Sequence, residues 1–282
     1  MHDRETLVTF GCSWVYGVGL GYTKDMTLYT YKKHAQNKES ADKYSFRGIL
    51  SSEHNLTNVN YARAGASNGY NFSKITEIFA YKESREEFIN SNPVVLWGIT
   101  STARVFFNGE DILFNELDED PASYFFLEPD YVYSSDDANL ILESLERDTV
   151  DIFGMFTRLY VRFFYNHDNE TKLLFEQMML WNIIFEFYNI PVIWFDTFNT
   201  HEYNNTNPNL IDGEDLLTQM LERENIKYSD KWYHLSNWRN DGDRITAGIK
   251  HDLLNPHSKH PTIKGHKILA NILSPYIKKS LN

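Results

Sequence analysis

Cysteine is almost absent: the chain of 282 residues has one, Cys12. A lone thiol excludes an internal disulfide framework and zinc sites built on Cys-x-x-Cys pairs, and it fits a reducing compartment. Excess positive charge is lacking too. Against 39 Asp and Glu stand 27 Lys and Arg, a formal charge of −12. A phosphate backbone is repelled by such a chain on average, so broad nucleic-acid binding is not expected. The acidic residues concentrate in 110–151. Long apolar runs are missing: the densest stretch, Leu173 to Phe187, is interrupted by Glu176, Gln177, Asn182 and Glu186, well short of the roughly 18 apolar residues of a membrane span. The first 30 residues show no basic segment followed by an apolar one. The expectation is therefore a chain without a secretion signal, and cytoplasmic.

What is present is core material. Hydrophobic residues make up 42% and aromatics 15%, with Tyr 18, Phe 19 and Trp 6. That suffices for one large domain over 1–282. Short apolar strands alternate with helical patterns, the signature of an α/β domain with a mostly parallel sheet. Strands are expected at Thr6–Phe10, Leu56–Tyr61, Pro93–Trp97 and Ile190–Asp196. Helices are expected over Asp42–His54, 67–90, 138–165, 170–189, Gly213–Glu224 and Thr262–Lys279. Within 104–170 the rhythm changes. Two aromatic, strand-like stretches, Val105–Phe114 and Ser123–Tyr133, flank the acidic run at 116–120, and the segment reads as an insertion, a hairpin over the sheet edge. Residues 197–259 read as loop-rich.

Four polar stretches fall where a parallel sheet binds ligands, beyond the carboxyl ends of strands or at the entry to a helix. Gly11-Cys12-Ser13 follows the first strand, and Ser13 is either the cap of the next helix or a hydroxyl presented at the edge. Asn60 to Asn68 leaves the second strand with small residues at 64–67. That is either an ordinary turn or a close approach of backbone to a ligand. Gly98-Ile99-Thr100-Ser101 follows the third strand, with Thr100 or Ser101 as donor and Arg104 as an anion holder or a solvated cation. His257-Ser-Lys-His260-Pro-Thr-Ile-Lys-Gly-His266 precedes the last helix. A histidine here suits a general base, and a serine needs such a base to become a nucleophile.

Together the four blocks resemble the SGNH (GDSL-like) hydrolase superfamily, in a Gly-Cys-Ser variant associated with phage and bacterial members. The resemblance covers the sheet and the last helix, and its most specific part is His-Pro-Thr-x-x-Gly-His followed by an apolar helix. It implies a three-layer α/β/α sandwich with a flavodoxin-like sheet. It also implies a serine esterase or acylhydrolase without metal or cofactor, acting on an acylated glycan, lipid or small ester. Ser13 falls on the nucleophile, His260 on the base, and Gly65 on the oxyanion glycine. The chain departs from the family pattern in three places. Cys12 stands for the usual Asp. Thr100-Ser101 stands for Asn-Asp, leaving Thr100 as a shorter oxyanion donor. His257 stands three before the base where the family has Asp, so an orienting carboxylate has to come from Asp252 or Asp241, or be missing.

Three other readings compete. His251, His257, His260 and His266, near Asp252, suggest a metal site, though without an HExxH helix or a Cys pair. Gly17, Gly19 and Gly21 suggest a phosphate loop, but no lysine follows at the required spacing. The third is the same fold kept as a weak or inactive binding module, a virion component or a homo-oligomer joined through the aromatics of 105–133.

Overall fold

The computed structural model describes residues 4–21, 37–100, 104–107, 110–113, 126–127, 167–197, 211, 215–228 and 242–281. Four strands, β1 (Thr6–Phe10), β2 (Thr57–Asn60), β3 (Pro93–Ile99) and, later in the chain, β7 (Val192–Asp196), form one sheet in the order β2-β1-β3-β7. Every pairing is parallel. The sheet is parallel throughout, as expected from the sequence, and its order is doubly wound. The chain steps from β1 to β2 on one side and then to β3 on the other, so the crevice between the carboxyl ends of β1 and β3 is the switch point at which such sheets bind ligands.

Alternation along the strands assigns the two faces. Leu7, Val94, Leu96, Ile193 and Phe195 point to one side and pack with α3 (Phe46–Glu53), α7 (Leu216–Arg223) and α9 (Ile263–Leu281). Val8, Phe10, Val95, Trp97, Ile99, Val192 and Trp194 point to the other and pack with α4 (Asn68–Ala80), α5 (Lys82–Asn90) and α6 (His167–Phe187). Helices thus cover both faces, as the burial of β1 and β3 on both sides requires. The second face is aromatic: Trp97 stacks on Phe10 at 4.5 Å and lies 4.7 Å from Trp194.

Several boundaries differ from those read in the sequence. The helix expected over Asp42–His54 is two helices, α2 (Lys38–Tyr44) and α3, joined at Ser45. Ser45 ends the first helix and caps the second, accepting the Gly48 N–H at 3.2 Å. The helix expected over 67–90 breaks at Tyr81, which takes an extended conformation (φ −104°, ψ 136°). In the expected loop region 197–259 there is a further helix, α8 (Gly242–Lys250). Its Gly248 is required by packing, because a Cβ there would lie 2.8 Å from Leu254.

Part of the expected insertion forms a second, antiparallel sheet of β4 (Arg104–Phe107), β5 (Glu110–Leu113) and β6 (Phe126–Leu127). The stretch Val105–Phe114 therefore folds back on itself instead of running as one strand. The helix expected over 138–165 lies outside the described residues, as does most of Ser123–Tyr133. No helix among the described residues is long and apolar enough to cross a membrane.

Candidate functional site

The strand that carries Ser13 ends in a turn only glycine accepts. Gly11 has φ +149°, and a Cβ on it would fall on Val15 Cγ2. Gly98, opposite on β3, has the same neighbour: its Cβ would lie 2.5 Å from Val15 Cγ2 and 2.9 Å from Phe195. The two glycines let the short helix α1 (Ser13–Tyr16) cross the carboxyl ends of β1 and β3 at close range. Cys12, buried, holds the cap position of α1 without a side-chain hydrogen bond. Ser13 is the first helical residue and only 6% exposed. Its side chain is therefore not the cap of this helix.

The block after β2 is tied to that turn. Arg63 N–H donates to Gly11 O at 3.2 Å, and Ala66 N–H to Arg63 O at 3.1 Å. Gly65, third in this four-residue turn, has φ +78°, the left-handed conformation such a turn asks of its third residue. Ser67 then caps α4 by accepting from Tyr70 N–H at 3.0 Å. The Arg63 guanidinium lies 4.1 Å over the Tyr70 ring.

Two asparagines on α4 tie the helix to the ends of β1 and β3. Asn71, fully buried, accepts the Gly11 N–H at 3.1 Å and donates to Ser67 O at 2.9 Å. Asn68 donates to Thr100 O at 2.8 Å and accepts the Thr100 N–H at 3.0 Å, so one side chain satisfies both main-chain groups of Thr100. Thr100 is 1% exposed, and its hydroxyl has no hydrogen-bond partner among the described residues. Arg104 opens β4, and its side chain lies outside what the structure describes, as does Ser101.

The fourth block is a closed loop. Leu254 bridges Pro261, and Asn255 N–H donates to His260 O at 2.8 Å. Buried Asn255 turns its Oδ1 inward to accept the N–H groups of His257 (2.8 Å) and Ser258 (3.3 Å). Lys259, with φ +63°, donates its N–H to Asn255 O at 2.9 Å. Thr262 donates its hydroxyl to Asp252 O at 2.6 Å and accepts the Gly265 N–H at 3.2 Å. His260 is half-buried, whereas His257 and Asp252 are exposed. Both ring nitrogens of His260 are buried. Asp241 lies outside the described residues. Cys12, Trp14 and Val15, at the end of β1, and Leu253 and Leu254, just before the fourth block, belong to the same apolar cluster.

His266 is structural. It is completely buried, and its Nδ1 accepts the Phe46 N–H at 3.2 Å, so the neutral ring carries its proton on Nε2. Burial, with His260 and Arg47 adding positive charge nearby, pushes its pKa down to about 3. Among the described residues no three of His, Cys, Asp and Glu converge as metal ligands, so the four histidines do not gather as the metal reading requires. Arg47, buried beside them, donates to Asn58 Oδ1 (3.0 Å) and Tyr16 O (3.3 Å) and pairs with Asp42 (2.8 Å). It fastens the end of α1 to α2, α3 and β2.

The sequence reading missed Asn71, Asn255 and the structural use of His266, and it took Asn68 as the end of the stretch after the second strand. The available signal was weak: Ser67, Asn68 and Asn71 fall at helical spacing on one side of a helix, where apolar residues are the norm. No protein-family model, curated protein or solved structure matches the chain.

Proposed function

We propose that the protein is a serine acylhydrolase of the SGNH type, with Ser13 as nucleophile and His260 as base. One observation carries the reading. The turn before Ser13, the turn at Gly65 and the main chain of Thr100 are tied into one unit at the switch point of the sheet by Asn71 and Asn68. A rigid set of donors around a hydroxyl is what acyl transfer needs, because the stabilisation of a developing oxyanion depends on dipoles already in place.

In this reading His260 takes the proton of Ser13 Oγ as the oxygen adds to an ester carbonyl. The N–H groups of Ser13 and Gly65 and the hydroxyl of Thr100 receive the oxyanion. The alcohol leaves with the proton held by His260. Water, deprotonated in turn by His260, attacks the acyl-serine, and the acid departs with Ser13 restored.

The departures from the family pattern at Thr100 and His257 favour a second reading, an SGNH-like fold kept as a binding module. Hydrolysis of 4-nitrophenyl acetate and of acetylated glycans separates the two. The acylhydrolase reading expects turnover in the wild type and a loss of roughly a thousandfold or more in Ser13→Ala and in His260→Ala. Turnover unchanged in either variant, or none in a folded wild type, supports the binding module.

A further inference from the structure

Helix α6 is apolar on two opposite sides. One side, Leu174, Met178, Trp181 and Phe185, is buried against the sheet. The other carries Leu173 (53% exposed), Leu180 (50%), Ile183 (62%) and Phe187 (80%). Leu173, Leu180 and Phe187 recur every seven residues, and Ile183 lies three after Leu180, the a and d spacing of a helix seam. Glu176 is the polar residue in this stripe. Phe187 is held in place: its ring meets Tyr188 edge-on at 5.0 Å, and Tyr188 meets Phe79 at 5.7 Å. A large apolar side chain fixed while exposed is the usual form of an interface anchor.

We infer that this face joins two copies of the chain through antiparallel pairing of α6. The charges beside the stripe select the partner and the direction. Lys172 and Glu186 occupy the same flanking heptad position, two heptads apart, with Met179 midway between them. Two copies run antiparallel about Met179 bring Lys172 of each beside Glu186 of the other, whereas in a parallel pair Lys172 faces Gln177 and no such ion pair forms. The pattern is self-complementary, as a two-fold interface requires. One helix face gives less than the ~800 Å² per partner of a standard interface, so the dissociation constant is expected on the order of micromolar. The inference is independent of the acylhydrolase reading.

Sedimentation equilibrium of the full chain tests it, with circular dichroism to confirm folding. The wild type is expected to be a reversible dimer, and Ile183→Glu a monomer. Lys172→Glu and Glu186→Lys are each expected to weaken the dimer roughly tenfold, and the double exchange to restore it. Glu176→Leu completes the stripe and is expected to tighten it. A wild type that stays monomeric at high concentration, a dimer indifferent to Ile183→Glu, or a double exchange without recovery overturns the proposal.

Discussion

The strand end that carries Ser13 is held by side chains reaching in from another element, whereas the loop that carries His260 is held by itself. At the first, Asn71 and Asn68 on α4 reach back to Gly11, Ser67 and Thr100, and glycines at 11 and 98 make room for Val15. At the second, the chain from 253 to 262 closes through its own backbone bonds, with Asn255 at its centre. An assembly laced from a distance is fixed in place and fails as a unit. The loop keeps its shape through its own bonds, and its base, buried Leu253 and Leu254, is seated in the core and bonded to Gly248 O.

The largest expected effects lie on the laced side. Gly11→Ala needs both an unfavourable φ and space occupied by Val15, and should lose roughly 3 kcal/mol or more, read by chemical denaturation. Gly98→Ala meets the same Val15 methyl without the φ penalty and should lose about 1–3 kcal/mol. Val15→Ala combined with Gly98→Ala should lose less than the sum of the two single losses, because one change vacates the space the other fills. Additive losses would break the account of the crossing.

Asn71→Leu and Asn68→Leu each leave buried main-chain groups unsatisfied at a strand end, and should lower stability by roughly 1–3 kcal/mol and turnover by more than the loss of folded protein explains. Asn255→Ala, on the other side, should disturb turnover while lowering stability by only about 1 kcal/mol. Equal behaviour of the two kinds of asparagine would erase the contrast between the supports.

His266 ties the two sides to pH. Its folded pKa of about 3 lies below the ordinary 6.5 of an unfolded histidine. Protonation therefore favours the unfolded chain, and the stability it affects is intact above about pH 6.5 and lost as the pH falls toward 3. Between pH 7 and 4.5 the loss should be roughly 2–3 kcal/mol, and His266→Gln should flatten that part of the stability profile. The smallest effect is expected at Lys259, where glycine relieves a φ of +63° and should change stability by less than about 1 kcal/mol, favourably.

Much of the scaffold was legible in the sequence because burial writes a strong pattern. β1 was read at its observed bounds, since Thr6–Phe10 is buried throughout. β3 was read two residues short because Gly98 interrupts the apolar run, yet the absent side chain is what the crossing helix needs. The break at Tyr81 carries no Gly or Pro signal, but phase gives it away. Phe88 follows Ile75 by thirteen residues, about 140° away around one continuous helix. Ser13, Gly65, Thr100 and His260 were named because their residue types carry chemistry. The asparagines were not, because their contribution consists of bonds between distant strand ends, which no local pattern encodes. The same limit hid α8, whose Gly248 reads as a breaker until Leu254 is packed against it.

The most direct test of the central claim is a covalent label. The protein is incubated with a fluorophosphonate, which reacts with activated serines, and the adduct is located by mass spectrometry. The account predicts a stoichiometric adduct on Ser13, absent in Ser13→Ala and strongly slowed in His260→Ala. A folded wild type that takes no label, or takes it elsewhere, contradicts the pairing of Ser13 with His260.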